Sequence, residues 1–316
     1  MTVQGSDMNQ LDDRVTLGIA LMLGFCAVAP LLDVAAKLAA PTIPVSQITT
    51  TRFLLQGVIM LPICLWMRHP ITIERSLLGL LALRGFFLIL ATYCFMAAIA
   101  VMPIADALAI VFIEPFILLV MGKWLFNEQV GRRRISASII GFAGVLLVIQ
   151  PSFSIFGLVA LFPLGTALAF AFYMLVTRRL SRQMEPVPMQ LHTATLATAM
   201  CLPILLWGHL SDHPTLSPLL APVMPEGIAW LWLLGVGVFA SLSHLLITYA
   251  LRFAPSATLA PLHYLEMVSA VSFGYLVFGD LPAKSTILGV CIIVGCGIYL
   301  FHRERIAAQE DRQAGR

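Results

Sequence analysis

Ten long apolar runs, separated by loops too short to hold a soluble domain, dominate this 316-residue chain. They fall at roughly 15–39, 44–66, 77–100, 103–124, 135–150, 155–177, 189–208, 227–251, 256–279 and 285–302. A hydrocarbon core about 30 Å thick takes about 20 apolar residues in a helix, so runs of this size are suited to crossing it. They are continuous rather than alternating, which predicts helices and not barrel strands. Composition agrees. The chain is 59% hydrophobic and 11% charged, against about 25% charged in soluble domains. So few charges could not cover the surface of a water-soluble enzyme of this length. The expected fold is all-α and membrane-integral, with polar tails at 1–14 and 303–316.

The net charge of +3 gives no basis for a nucleic-acid partner. The start, MTVQGSDMNQLDDR, has acidic Asp12 and Asp13 where a signal peptide would have a basic segment, so the first run is expected to stay in the protein. Cys26, Cys64, Cys94, Cys201, Cys291 and Cys296 all lie inside apolar runs without a CxxC pair. They read as packing residues, not as metal ligands or a disulfide framework. No metal or cofactor is expected.

Basic residues set the orientation. With the N-terminus inside, fifteen of the 19 Lys and Arg fall in inner segments: Arg14, Arg68, Arg75, Lys123, Arg132–Arg134, Arg178, Arg179, Arg182, Arg252, Arg303, Arg305, Arg312 and Arg316. Lys284 alone falls in an outer loop, and Lys37, Arg52 and Arg84 lie within spans. Both termini are therefore expected in the cytoplasm, with an even number of spans. Trp66 and Trp207 fall at span ends, where amphipathic rings meet the lipid headgroups.

The two halves repeat. LPICLW at 61–66 returns as LPILLW at 202–207, an offset of 141. VMPIADALAIVFIEP at 101–115 parallels FAPSATLAPLHYLEM at 253–267, so that Pro103 matches Pro255 and Glu114 matches Glu266 at offset 152. Glu128 matches Asp280 at the same offset, and a longer loop at 209–226 accounts for most of the change of 11. Two units of five helices, 15–150 and 151–302, fit this pattern. Five is odd, so the second unit must run with inverted topology. Inverted repeats are typical of secondary transporters, where each unit can adopt the other's conformation.

These features together resemble the drug/metabolite transporter superfamily, and within it bacterial proteins with two EamA domains. The Pro-x-Ala starts of the fourth and ninth spans, their glutamates, and the Asn127-Glu128 and Gly279-Asp280 endings carry the resemblance over about residues 15–302. It implies a bacterial inner-membrane location and a central cavity formed mainly by spans 1, 3, 4, 6, 8 and 9. It also implies a small-molecule cargo, since known members carry amino acids, riboflavin, S-adenosylmethionine, nucleotide sugars or cationic drugs. The short cationic-drug branch has a Glu in its first helix; this chain has Asp33 there.

Charged residues inside a span cost about 2.5–3.5 kcal/mol at the centre and ask for a partner or a watery cavity. Glu114 and Glu266 lie about ten residues, roughly 15 Å, into their spans and so near the midplane. They read as substrate contacts or proton-linked switches, or else as partners for Arg52 or Arg84. His263, three residues before Glu266, shares its helix face and could share a proton with it. Tyr264 and His244 fall in the same region, and Pro115 can kink the fourth helix behind Glu114. Asp33 and Lys37, at i and i+4, are expected to neutralise each other near the outer surface, with a gate as the alternative. Arg52 can act as an interfacial anchor, and Arg84 is the better cavity candidate because the family places its helix inward. Tyr93, with Phe86, Phe87, Phe95, Phe112 and Tyr249, could line a cavity for a planar or amphipathic solute, or pack against lipid.

No GxSxG, HExxH or Walker A motif is present. The sequence therefore reads as a secondary transporter of a small organic metabolite, with lipid around it and protons as a candidate coupling ion. The rival class is an intramembrane enzyme or sensor without net flux.

Overall fold

The computed structural model describes residues 4–114, 116–117, scattered positions between 121 and 147, and then 153–180, 183–211, 220–253, 262 and 265–314. Among these, every regular element is a helix. They are α1 (Gln4–Ala39), α2 (Val45–Trp66), α3 (Arg75–Ile99), α4 (Ile104–Val111), α5 (Phe162–Leu180, entered through a 3-10 turn at Gly157–Leu161), α6 (Pro186–Leu210), α7 (Ala229–Phe253), α8 (Leu265–Phe278) and α9 (Lys284–Ala314). Six segments of 22–25 residues are long and apolar enough to cross a membrane: Thr16–Ala39, Val45–Trp66, Arg75–Ile99, Phe153–Thr177, Pro186–Leu210 and Ala229–Ala250. Leu265–Phe278 and Lys284–Cys296 are shorter apolar helices. Half of the expected fifth span, 135–150, and the start of the ninth lie outside the described residues.

Three expected boundaries differ. The fourth span does not run as one helix: α4 ends at Val111, Phe112 and Ile113 form a turn, and helical geometry returns at Glu114. Proline at 115 has no N–H to give the Val111 carbonyl, and its ring crowds that oxygen. Pro115 itself lies outside the described residues. At the two ends, α1 begins at Gln4 and α9 continues to Ala314, so both tails expected to be separate are largely helical. Nothing between Phe301 and Ala314 breaks a helix, because the first glycine is Gly315.

The helices are inside out compared with soluble ones. On α2, Leu54, Val58, Leu61 and Leu65 recur at helical spacing and are exposed, whereas Arg52, Gln56, Met60 and Cys64 are buried. Hydroxyls inside the bundle are satisfied by the carbonyl one turn back: Thr50 on Ser46, Thr193 on Met189, Ser241 on Gly237 and Thr248 on His244, at 2.6–2.8 Å. Trp66 is 85% and Trp207 49% exposed, as rings at a lipid boundary should be. Gly279, at φ 71, closes α8 in a left-handed conformation that costs a glycine little.

The helices pack in pairs: α1 on α7, α3 on α5, and α2 on α6, with further contacts of α2 with α7, α3 with α6, α1 with α8, and α4 with both α5 and α8. In lipid such contacts depend on close approach rather than on hydrophobic expulsion. Gly237 of α7 shows how close. A Cβ there would lie 2.4 Å from the Leu55 Cβ of α2.

The largest apolar cluster, including Ala39, Ile48, Ile99, Met102, Ile104 and Leu233, seals the end of the bundle where α1 and α3 finish and α2, α4 and α7 begin. A polar tie crosses the same end. Lys37 Nζ donates to Asp280 Oδ2 at 2.9 Å and to the Met102 carbonyl at 3.1 Å, and lies over the Phe278 ring at 4.7 Å. This corrects the expected Asp33–Lys37 pair. The lysine stem reaches across to the α8–α9 connection, and Asp33 turns inward, 6% exposed. Smaller clusters occupy the other end, one of Met60, Cys64, Val187 and Leu191 and one of Leu77, Leu81, Leu180 and Met189.

Two stability measurements follow from this packing. Gly237→Ala should lower the melting temperature of the purified protein, with an overpacking cost of about 1–3 kcal/mol. Leu55→Gly in the same chain should recover part of the loss, and an unchanged single variant would contradict the close α2–α7 approach. A double-mutant cycle of Lys37→Met with Asp280→Asn should show coupling of about 0.5–1 kcal/mol, whereas Lys37→Met with Asp33→Asn should be additive. Coupling to Asp33 and not to Asp280 would restore the pair expected from spacing.

Candidate functional site

A cavity lies in the middle of the bundle, walled by α1, α2, α3, α4, α5, α7 and α8. The space between its walls, open mouth included, is about 760 Å³. Much of the wall is apolar, with Phe25, Phe95, Phe112 and Phe170 supplying rings. The polar groups converge from different helices: Asp33 from α1, Arg52 from α2, Thr92 from α3, Glu114 after the break in α4, Thr166 from α5, Ser243 and His244 from α7, and Glu266 from α8. Glu114 is 4% and Glu266 5% exposed. The break that ends α4, at Phe112 and Ile113, comes directly before Glu114 and puts irregular backbone beside the cavity, an arrangement that membrane proteins tolerate where backbone lines a cavity.

The two arginines exchange the roles expected of them. Arg84 is fully buried behind the wall, not in it. Its Nε donates to Thr177 (2.8 Å), its Nη1 to Thr193 (2.5 Å) and its Nη2 to Tyr173 (2.7 Å), and the guanidinium lies 4.6 Å from the Tyr173 ring centre. All three acceptors are neutral oxygens. Arg52 lines the cavity, 4% exposed, with Nη1 donating to Thr92 and Nη2 to His244 Nε2, both at 2.5 Å. It is therefore not an interfacial anchor.

His244 joins the arginines into one network. Its Nδ1 lies 3.3 Å from the Tyr173 hydroxyl, the two rings edge to face at 6.0 Å. A guanidinium can only donate, so His244 Nε2 accepts from Arg52 and the ring hydrogen sits on Nδ1, pointing to Tyr173. A second buried tie runs below. Gln190 Nε2 donates to the His244 carbonyl and to Thr248 Oγ1, each at 3.0 Å, and its Oε1 accepts from Gln56 at 3.3 Å.

Of the residues singled out by sequence, Glu114, Glu266, Asp33 and Arg52 meet at the cavity. Lys37 stands apart at the sealed end, and Tyr93 packs beside Phe53 and Tyr173, its hydroxyl buried without a hydrogen-bond partner. Phe86 is half exposed and faces outward. His263, Tyr264 and Pro115 lie outside the described residues. Leu262, next to His263, accepts a hydrogen bond from the Cys26 thiol of α1 at 3.2 Å through its carbonyl. Sequence reasoning passed over Tyr173, Thr92 and Thr193. The one available signal was the accumulation of hydroxyl residues, such as Tyr173 and Thr177, one helical turn apart in a span.

Known proteins resemble this chain. The model of the EamA-like transporter family matches residues 16–150 and again 157–302. A riboflavin transporter of Vibrio cholerae is 28% identical over 273 residues, covering 85% of this chain and 87% of that protein. An S-adenosylmethionine uptake transporter of Rickettsia bellii is 23% identical over 300 residues, 95% of this chain and 98% of the other. The pseudopaline exporter CntI of Pseudomonas aeruginosa is 25% identical over 287 residues, 90% and 96% of the two chains. A crystal structure with 18% identity superposes with a TM-score of 0.60 over 90% of this chain and 98% of that one, which shows a shared fold. With a family model spanning nearly all of both halves, this chain belongs to the EamA-like transporter family.

Proposed function

We propose that this protein is a secondary transporter that moves a small organic metabolite across the bacterial inner membrane by alternating access, both termini facing the cytoplasm. The observation that carries the reading is the central cavity, with Asp33, Glu114, Glu266 and Arg52 in its wall. Ionisable side chains are costly inside a membrane and mark solute or ion pathways there. A water-filled or solute-filled cavity relieves that cost.

Two further observations support alternating access. Exchange of the two repeat units would turn the first span into the sixth and the third into the eighth. It would therefore convert the α1–α7 contact into the α5–α3 contact and leave α2–α6 unchanged. These are the helix pairs that pack, which supports two units related by a two-fold exchange. The sealed apolar end, set against a cavity in the middle of the bundle, fits one of the two arrangements such a pair of units can adopt.

The relatives' names support the cargo class. One carries riboflavin and another takes up S-adenosylmethionine, while a third exports pseudopaline. Phenyl rings and carboxylates in one cavity suit solutes of that mixed character. A sensor or an intramembrane enzyme lacks the need for inverted units. Coupling to protons is the variant of the mechanism that an imposed pH gradient tests.

Uptake into proteoliposomes with a metabolite panel, with and without a pH gradient, is the deciding experiment. Glu114→Gln and Glu266→Gln should each cut flux about tenfold or more, the loss of a little over 1 kcal/mol of charge-assisted contact, with membrane insertion intact. Original rates in both variants would remove the carboxylates from the site. For orientation, single cysteines at Ser152 and Thr215 should react with an impermeant label from the periplasm, and at Ser181 and Gln309 only from the cytoplasm. Labelling of Ser181 from outside would overturn the ten-span arrangement.

A further inference from the structure

Arg52 and Arg84 are both buried guanidiniums, yet they are held differently. Arg84 commits each of its three nitrogens to a protein oxygen. Arg52 commits its two terminal nitrogens, to Thr92 and His244, and its Nε has no hydrogen-bond partner although the residue is 96% buried in the cavity wall. A buried cationic donor without an acceptor is costly, and here it belongs to the arginine that lines the cavity. The ends of the fork are pinned from opposite sides, so the group cannot turn away to find an acceptor elsewhere.

The pinning has its own support. Arg84 Nη2 donates to the Tyr173 hydroxyl oxygen, and that oxygen also faces His244 Nδ1. Tyr173 thus holds the ring hydrogen of His244 on Nδ1 and leaves Nε2 as the acceptor for Arg52. Resting on the transporter reading, we infer that Arg52 recognises a carboxylate on the transported solute and that His244 is the positioning residue that aims it. The anion is a carboxylate rather than a phosphate, because Asp33, Glu114 and Glu266 in the same wall would repel a doubly charged group. Those three carboxylates receive the cationic end of the same molecule. The cargo class is a zwitterion or an organic cation that carries one carboxylate, with its apolar body against the phenyl rings.

The test uses matched solutes and the full-length protein. S-adenosylmethionine, lysine and methionine are each paired with their decarboxylated amines, and riboflavin serves as a solute with no carboxylate. Binding is read by the shift in melting temperature and flux by uptake into liposomes. At least one acid should bind about tenfold or more tighter than its amine, as a site built around a polar partner discriminates. Arg52→Gln should bring that ratio close to one. Arg52→Lys, which keeps the charge and loses the fork, should leave an intermediate ratio and guards against a folding defect in the first variant. His244→Phe should lower the ratio and His244→Gln should recover part of it. Without any solute, the ¹⁵N-histidine spectrum, with His244 identified by its loss in His244→Gln, should show the hydrogen on Nδ1. That is the reverse of the tautomer favoured by a free side chain in water. A ratio that survives Arg52→Gln, binding by none of the acids, or flux of riboflavin alone overturns the carboxylate assignment. An Nε2–H signal overturns the positioning role. Riboflavin flux would leave the transporter reading standing, and that reading fails only when no metabolite crosses.

Discussion

Inside hydrocarbon a charged or hydrogen-bonding group must find its partner within the protein, and in this chain that requirement decides which way each helix faces. The apolar faces could meet lipid or protein with little difference in energy, since lipid tails are as apolar as leucine. Only the polar side chains distinguish the two. Arg84 brings α3 against Thr177 and Tyr173 of α5 and Thr193 of α6, and Arg52 brings α2 against Thr92 of α3 and His244 of α7. Gln190 then joins α6 to α7 and α2. A rotation of any of these helices by one residue, about 100°, would strand a guanidinium or an amide in a dry interface. The rotational setting of five helices thus depends on one connected network.

That dependence explains which features could be read from the sequence and which could not. Depth was readable, because an apolar run has a countable length. Glu114 and Glu266, singled out by their positions within the spans, both line the cavity. Rotational setting was not readable in the same way. A span that is apolar nearly all round has no amphipathic phase to show its inner face, so Arg52 and Arg84, each one to two turns from a span end, looked alike. What separates them is the identity of uncharged neighbours on other helices, Thr193 and Tyr173 for one and the open cavity for the other. The Asp33–Lys37 spacing failed for a related reason. Residues four apart share a face, but a lysine stem is long enough to leave that face, and Asp280, 243 positions along, offered a carboxylate at the sealed end. The interruption before Glu114 was foreshadowed by Pro115, since a missing N–H is a local property that needs no tertiary context.

The two kinds of polar contact differ in how readily they can break. Lys37 and Asp280 are 16% and 31% exposed, and Arg252 and Glu185, which also pair, are 41% and 44% exposed. Water can replace each partner of such pairs, so the net gain from forming them is small, about 0–1 kcal/mol at exposed sites. The Arg84 network has no such replacement. Its members are buried among helices, and separating Arg84 from Tyr173 or Thr193 would leave unsatisfied groups on both sides. A transporter with two arrangements needs them to differ by no more than a few kcal/mol, because a cargo can shift the balance only by its differential affinity. The parts that move should therefore be joined by contacts that water can take over, and the parts that turn as a unit by contacts it cannot. On that criterion the Lys37–Asp280 and Arg252–Glu185 ties are of the kind that can open. The α3–α5–α6 contact around Arg84 is of the kind that holds, and Arg52 is tied to it through His244 and Tyr173.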